Sequence, residues 1–122
     1  MEKNELDTRS TARALVAPGK GILAADESFP TIEKRFKSVG VAPTEENRQA
    51  YREMLFRTPD IEPYISGVIL FDETIRSSAS DGTPFPELLA TRGIIPGIKV
   101  DMGAKALAGA PVEKITEGLD GL

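Results

Sequence analysis

Apolar positions recur along the chain at two spacings, and the switches between them mark out its elements. From Glu5 to Val16 the pattern predicts a helix with a thin apolar stripe of Leu6, Leu15 and Val16, ended by Pro18 and Gly19. Gly21 to Ala25 (GILAA) is a short apolar run bounded by glycine before and charge after, which reads as a buried strand. The segment DESFPT then turns into a second helix. Ser28 or Phe29 precedes Pro30, and proline suits a first helical turn. Ile32, Phe36 and Val39 recur at helical spacing, and Gly40 ends the element. A third helix opens at Thr44 and runs to about Arg57. Thr44 supplies the cap, Glu45 and Glu46 complement the helix dipole, and Ala50, Tyr51, Met54 and Leu55 form an apolar side. Pro59 and Pro63 break it.

Ile65 to Phe71 (ISGVILF) is rich in β-branched residues and predicts a second strand. A polar, glycine-containing loop (RSSASDGTP) follows, then a short helix from Phe85 to Ala90. Ile94 to Val100 (IIPGIKV) predicts a third strand with Pro96 near its start. Thr116 to Leu122 reads as the opening of a further helix. No internal sequence repeat accompanies the alternation of elements. Near-continuously apolar strands separated by helices predict an α/β fold with a parallel sheet. A closed parallel barrel needs about eight strands and about 250 residues. Three strands in 122 residues therefore predict a part of a larger β/α domain.

Composition narrows the chemistry. The hydrophobic fraction of 40% is that of a globular chain, while aromatics are sparse at 6%, so the core rests on aliphatic residues and five Phe. A formal net charge of −4, with no run of Lys and Arg, argues against nucleic acid or an anionic membrane as partner. The absence of Cys and His excludes disulfides, thiolate or imidazole metal sites, and Cys or His nucleophiles from these residues. The charged start MEKNELDTRS is no secretory signal, and the apolar runs are too short to span a bilayer, so a cytoplasmic protein is expected.

All three strands run into polar residues at their carboxyl ends: Asp26-Glu27-Ser28, Asp72-Glu73-Thr74, and Lys99 with Asp101. Parallel β/α folds place their active sites at that edge. Alternation puts Ile22, Ala24 and Asp26 on one face of the first strand, and Lys99 and Asp101 on one face of the third. A semi-buried Lys99 needs a partner, which either Asp26 or Asp101 could be. Such a set could handle an anionic substrate, or form an ordinary ion pair on a solvated rim. Ser28 and Thr31 stand where the first strand becomes a helix, a place for a phosphate or for simple capping. Arg35, one turn on, could reach the same anion or lie on the surface. Arg48 could make a helical pair with Glu45. No dinucleotide or P-loop pattern occurs, and APGKG reads as a helix-ending turn.

With these residues assembled, the chain resembles class I fructose-bisphosphate aldolases. The blocks that carry the likeness are VAPGKGILAADES (Val16 to Ser28), TEENR (Thr44 to Arg48), GVILF with Glu73 and Thr74, DGTPFP (Asp81 to Pro86), GIKVD (Gly97 to Asp101) and TEGLDGL (Thr116 to Leu122). They occur in the family's order and cover nearly all of the chain from Val16. The resemblance implies a (β/α)8 barrel, of which residues 1–122 are the amino-terminal three β/α units in a single domain. It implies a lyase of glycolysis and gluconeogenesis that reversibly cleaves fructose 1,6-bisphosphate to dihydroxyacetone phosphate and glyceraldehyde 3-phosphate. The reaction runs through a lysine Schiff base, with no metal and no cofactor. The partner is a phosphorylated sugar, and the intact enzyme could be a homo-oligomer.

Carried over position by position, Asp26 matches the first-strand aspartate of the catalytic centre. Lys99 matches the third-strand lysine that helps hold a phosphate. Ser28 and Arg35 match phosphate-side contacts, and Thr31 stands where many members have Ser. Arg48 matches a substrate-binding arginine, with a structural role as the alternative. Asp101 is expected to orient Lys99. Asp72 stands where animal members have His and Met102 where Lys is frequent, which points to a bacterial-type subfamily. No lysine here matches the Schiff-base lysine, which the family carries on a later strand. These residues alone are therefore expected to be inactive. The alternative expectation is a non-catalytic short chain that pairs with another.

Overall fold

The protein is described from a computed structural model, which covers residues 8–118, 120 and 121. Helix α1 spans Thr8–Leu15, strand β1 Gly21–Ala25, helix α2 Phe29–Ser38 and helix α3 Glu45–Phe56. Strand β2 (Ile65–Leu70) leads into a single turn of helix, α4 (Asp72–Ile75), then helix α5 (Phe85–Thr91) and strand β3 (Ile95–Ile98). Strands β4 (Gly103–Leu107) and β5 (Ala110–Glu117) complete the described elements.

Strands β1, β2 and β3 form one parallel sheet in that order. The register runs Ala25 to Leu70 to Ile98 and Ala24 to Ile69 to Gly97. Paired residues in a parallel ladder share a side of the sheet. One side therefore carries Leu23, Ala25, Val68 and Leu70, and meets Phe56 of α3 and Phe85, Leu88 and Leu89 of α5 in the core. Phe56 and Phe85 meet edge to face at 5.2 Å, an arrangement worth about 0.5–1.5 kcal/mol beyond area burial. The other side carries Ile22, Ala24, Ile69 and Gly97 and is largely open. Near its lower end Gly67 lets α1 approach, since a Cβ there would stand 2.5 Å from the Leu15 side chain.

The expected α/β class and the parallel sheet are both present, with element boundaries displaced. The first helix is described from Thr8 and ends at Leu15, leaving Val16 outside it, while Glu5 and Leu6 lie outside the described residues. The third helix closes at Phe56 with Arg57 as its cap. Its start is as expected: the Thr44 hydroxyl accepts the Asn47 amide at 3.1 Å. The second strand stops at Leu70, because Phe71 becomes the cap residue of α4. The third strand is shorter than Ile94 to Val100, because Ile94 is drawn into the core and the chain leaves the ladder after Lys99. The Lys99 amide still donates to the Leu70 carbonyl at 2.9 Å.

The carboxyl-terminal segment overturns an expectation. Thr116 and Glu117 are not helical but lie in β5, which pairs antiparallel with β4; Leu119 and Leu122 lie outside the described residues. Leu107 pairs with Ala110 across the two-residue turn Ala108-Gly109, where Gly109 has φ of 80°. That positive φ and the β-branched Val112, Ile115 and Thr116 favour a hairpin over a helix.

Candidate functional site

Alternation from Ala24 brings Asp26 onto the open side of the sheet, and alternation from Gly97 brings Lys99 there too. The Lys99 ammonium bonds Asp101 Oδ1 and lies 3.9 Å from Asp26 Oδ2. Either carboxylate had been a candidate partner; Lys99 is set against both. The Lys99 and Asp26 side chains are about a quarter exposed, at 25% and 26%, so the pair faces solvent while remaining partly desolvated. Asp101 Oδ2 accepts the Gly103 amide at 3.1 Å. The hydrogen bond from Lys99 leads in holding the Asp101 carboxyl below the usual aspartate range. Gly118 keeps this corner closed: a Cβ there would stand 2.3 Å from the Val100 carbonyl and 2.6 Å from Asp101 Cα.

Ser28 is the cap residue of α2, with extended backbone, yet its side chain makes no capping bond. Its hydroxyl lies 3.4 Å from the Thr31 hydroxyl instead. Both hydroxyls sit at a helix amino end, where free amides and the dipole favour an anion. Arg35 is exposed and lies 3.7 Å from Glu27 Oε2.

Arg48 departs from the helical pair with Glu45. Its guanidinium forks onto Glu73 beyond the end of β2, with Nε to Oε2 and Nη2 to Oε1 both at 2.9 Å. It also donates to the Pro43 carbonyl at 2.7 Å and stands 4.7 Å over the Phe29 ring. The hydrogen bond to Glu73 is the main reason its pKa is raised. Arg48 lines a polar cleft of about 290 Å³ between α3 and α4 whose walls also include Arg52, Glu73 and Ser77. Asp26 and Lys99 are not among that cleft's lining residues.

Two side chains escaped the sequence reading. Glu27 is turned inward, and Arg52 of α3 binds its side chain at 3.2 Å and its carbonyl oxygen at 2.8 Å. Strand alternation could have found Glu27, because placing Asp26 on the open side sends its neighbour to the helix-covered side. Arg52 had no local signal. A charged residue in mid-helix looks solvated until the strand end beneath it is known.

The fold and the site thus define an α/β chain with its polar groups gathered at the carboxyl ends of parallel strands. The family model for fructose-bisphosphate aldolase class-I matches residues 6–122, and the chain belongs to that family. It is 65% identical over 112 residues to a probable fructose-bisphosphate aldolase class 1 of Xanthomonas campestris, covering 92% of this chain and 34% of that protein. It is 54% identical to the cytosolic fructose-bisphosphate aldolase 7 of Arabidopsis thaliana, covering 100% of this chain and 34% of that protein. The solved aldolase of Plasmodium falciparum, in a ternary complex with TRAP and a small-molecule inhibitor, superposes with a TM-score of 0.87 at 50% identity. The match covers 92% of this chain and 32% of that one. The chain spans about a third of the length of the curated relatives it matches.

Proposed function

We propose that the protein carrying this chain is a class I fructose-bisphosphate aldolase, which cleaves fructose 1,6-bisphosphate through a lysine Schiff base. In this reading the chain forms the first three β/α units of a (β/α)8 barrel within one domain. Its open sheet side, carrying Ile22, Ala24 and Ile69, would face the barrel interior. The exposure of Ile22 on that side supports the reading, since an apolar strand position calls for a covering layer.

The observation that carries the proposal is the placing of Asp26 and Lys99 on one open side of the sheet, 3.9 Å apart, in a chain of this family. Asp26 is assigned the proton transfer at the substrate hydroxyl during carbon–carbon cleavage. The Lys99 ammonium faces the Asp26 carboxylate at 3.9 Å, and Asp26 is the group within reach to accept that proton. Lys99 also attracts a phosphate, and Asp101 fixes its direction. Ser28, Thr31 and Arg35 form the phosphate-side wall, and Arg48 is assigned to hold the wall to the end of β2. The Schiff-base lysine is assigned to a part of the protein outside residues 1–122, and the site is cytoplasmic and metal-free in this reading.

Borohydride trapping with dihydroxyacetone phosphate tests the assignment. Full-length protein should be labelled, and peptide mapping should place the label outside these residues. Label on Lys99 would overturn the division of roles. A second reading, a non-catalytic chain that pairs with another, draws on the unpaired outer edges of β1 and β3 among the described residues. It predicts no trapping in the full-length protein.

A further inference from the structure

Arg52 is the most deeply set of the arginines near the strand ends. Its side chain is 3% exposed, and the Glu27 side chain it binds is 7% exposed. One guanidinium nitrogen meets Glu27 Oε2 at 3.2 Å and another meets the Glu27 carbonyl oxygen at 2.8 Å. A helix has thus gripped the chain between Asp26 and Ser28 by side chain and backbone together. Arg48, one turn earlier on the same helix, grips the end of β2 through Glu73. The face of α3 therefore fastens the carboxyl ends of two neighbouring strands.

The charge arrangement adds a second consequence. Arg35 approaches the same oxygen, Glu27 Oε2, but at 3.7 Å and with 61% of its side chain exposed. One carboxylate oxygen thus faces two guanidiniums, one fixed and buried, one loose and solvated. A buried carboxylate cannot be left without a cation. While Arg52 neutralises Glu27, Arg35 is free to turn to another anion. Without Arg52, Glu27 would claim Arg35 for itself.

We infer that Arg52 is a positioning residue for substrate phosphate: its two-point hold on Glu27 fixes the Asp26–Ser28 segment and leaves Arg35 available to the phosphate. The inference rests on the aldolase reading for the identity of the substrate, and on the Arg52–Glu27–Arg35 geometry for the rest. It predicts a coupling to Glu27 that loss of packing would not produce.

The test uses full-length protein with Arg52→Met, Arg52→Lys, and Arg52→Met combined with Glu27→Gln. Steady-state cleavage of fructose 1,6-bisphosphate and binding of inorganic phosphate by calorimetry are both read. Arg52→Met should raise KM and weaken phosphate binding about tenfold, the usual scale of one charge-assisted contact, with kcat changed less than about threefold. Adding Glu27→Gln should bring both back to within about threefold of the parent, because no buried carboxylate then competes for Arg35. If Arg52→Met does not fold, Arg52→Lys carries the test. It keeps the charge but not the two-point reach, and should weaken phosphate binding about threefold. Unchanged KM and phosphate affinity in Arg52→Lys, or a fall in kcat in Arg52→Met that Glu27→Gln does not reverse, would overturn the inference. A parent protein that binds phosphate in the predicted order across the variants but cleaves no fructose 1,6-bisphosphate sinks the aldolase reading and leaves this inference standing.

Discussion

Breaking the fork between Arg48 and Glu73 separates two roles for Arg48 that its motif leaves open. The two bonds at 2.9 Å join side chains that are 17% and 22% exposed, so the pair is mostly withdrawn from water. Hydrogen bonds to charged groups contribute about 1.5–3 kcal/mol each, and breaking a fully buried pair costs about 3–5 kcal/mol. An exposed pair contributes only about 0–1 kcal/mol. The partial exposure places this one between those limits. Glu73→Gln keeps one acceptor but loses the charge, and is expected to cost about 1–2 kcal/mol. Arg48→Met also loses the bond to Pro43 and is expected to cost about 2–3 kcal/mol. The coupling in a double-mutant cycle should be about 1.5 kcal/mol, read from urea unfolding of the full-length protein by circular dichroism. Coupling below about 0.5 kcal/mol would refute the reasoning, since pairs that do not interact add within that margin. Kinetics on the same variants assigns the role. If Arg48 serves by stapling α3 to β2, Glu73→Gln should raise KM nearly as much as Arg48→Met. A rise confined to Arg48→Met would make Arg48 a direct substrate contact instead.

Further outcomes follow from other parts of the structure. Thr44→Ala removes the acceptor for the Asn47 amide and should cost about 1 kcal/mol in urea unfolding, whereas Thr44→Ser should stay within a few tenths. Gly118→Ala should destabilise by about 2 kcal/mol or more, because its φ of 128° and a Cβ 2.3 Å from the Val100 carbonyl are both unfavourable. It should also lower turnover by displacing Asp101 beneath Lys99; full stability and activity in this variant would refute the account of that corner. The Asp81 carboxyl is lowered to about 2, chiefly by the Thr83 amide and hydroxyl and then by Arg57. A carboxyl depressed on folding adds stability above its unfolded pKa of about 3.9 that is lost as pH falls through the folded value. The melting temperature should therefore decline between about pH 4 and pH 2 through this group, and Asp81→Asn should flatten that part of the profile.

Much of the fold is local in origin, and so much of it was legible. The strand at Gly21–Ala25 falls on its expected bounds because glycine and an acidic run bracket an apolar stretch too short for a helix. The start of α3 was legible because Thr44 caps its own helix three residues on. The hairpin of β4 and β5 was missed although its turn is also local. Gly109 stands in an Ala-containing stretch that fits either period, and Thr116 to Leu122 by itself reads as the opening of a helix.

For the site, residue types and strand alternation were enough to nominate Asp26, Lys99 and Asp101, because side-chain direction along a strand is set by the backbone. Which carboxylate Lys99 meets depends on the register of β1 and β3 against β2, and on the turn at Gly103 that brings Asp101 back beneath it. The partners of Arg48 and Arg52 could not be read from the chain. Arg48 lies 25 positions from Glu73, and Arg52 lies 25 from Glu27. For Arg48, sequence spacing ranks Glu45, three residues away, ahead of Glu73, and Arg52 has no carboxylate three or four residues away on its helix. Only the packing of α3 across the ends of two strands removes water from these guanidiniums and makes a distant carboxylate the better partner. The sequence by itself determined which chemistry could be assembled at the strand ends. The tertiary structure decided which charges are free to perform it and which hold the others in place.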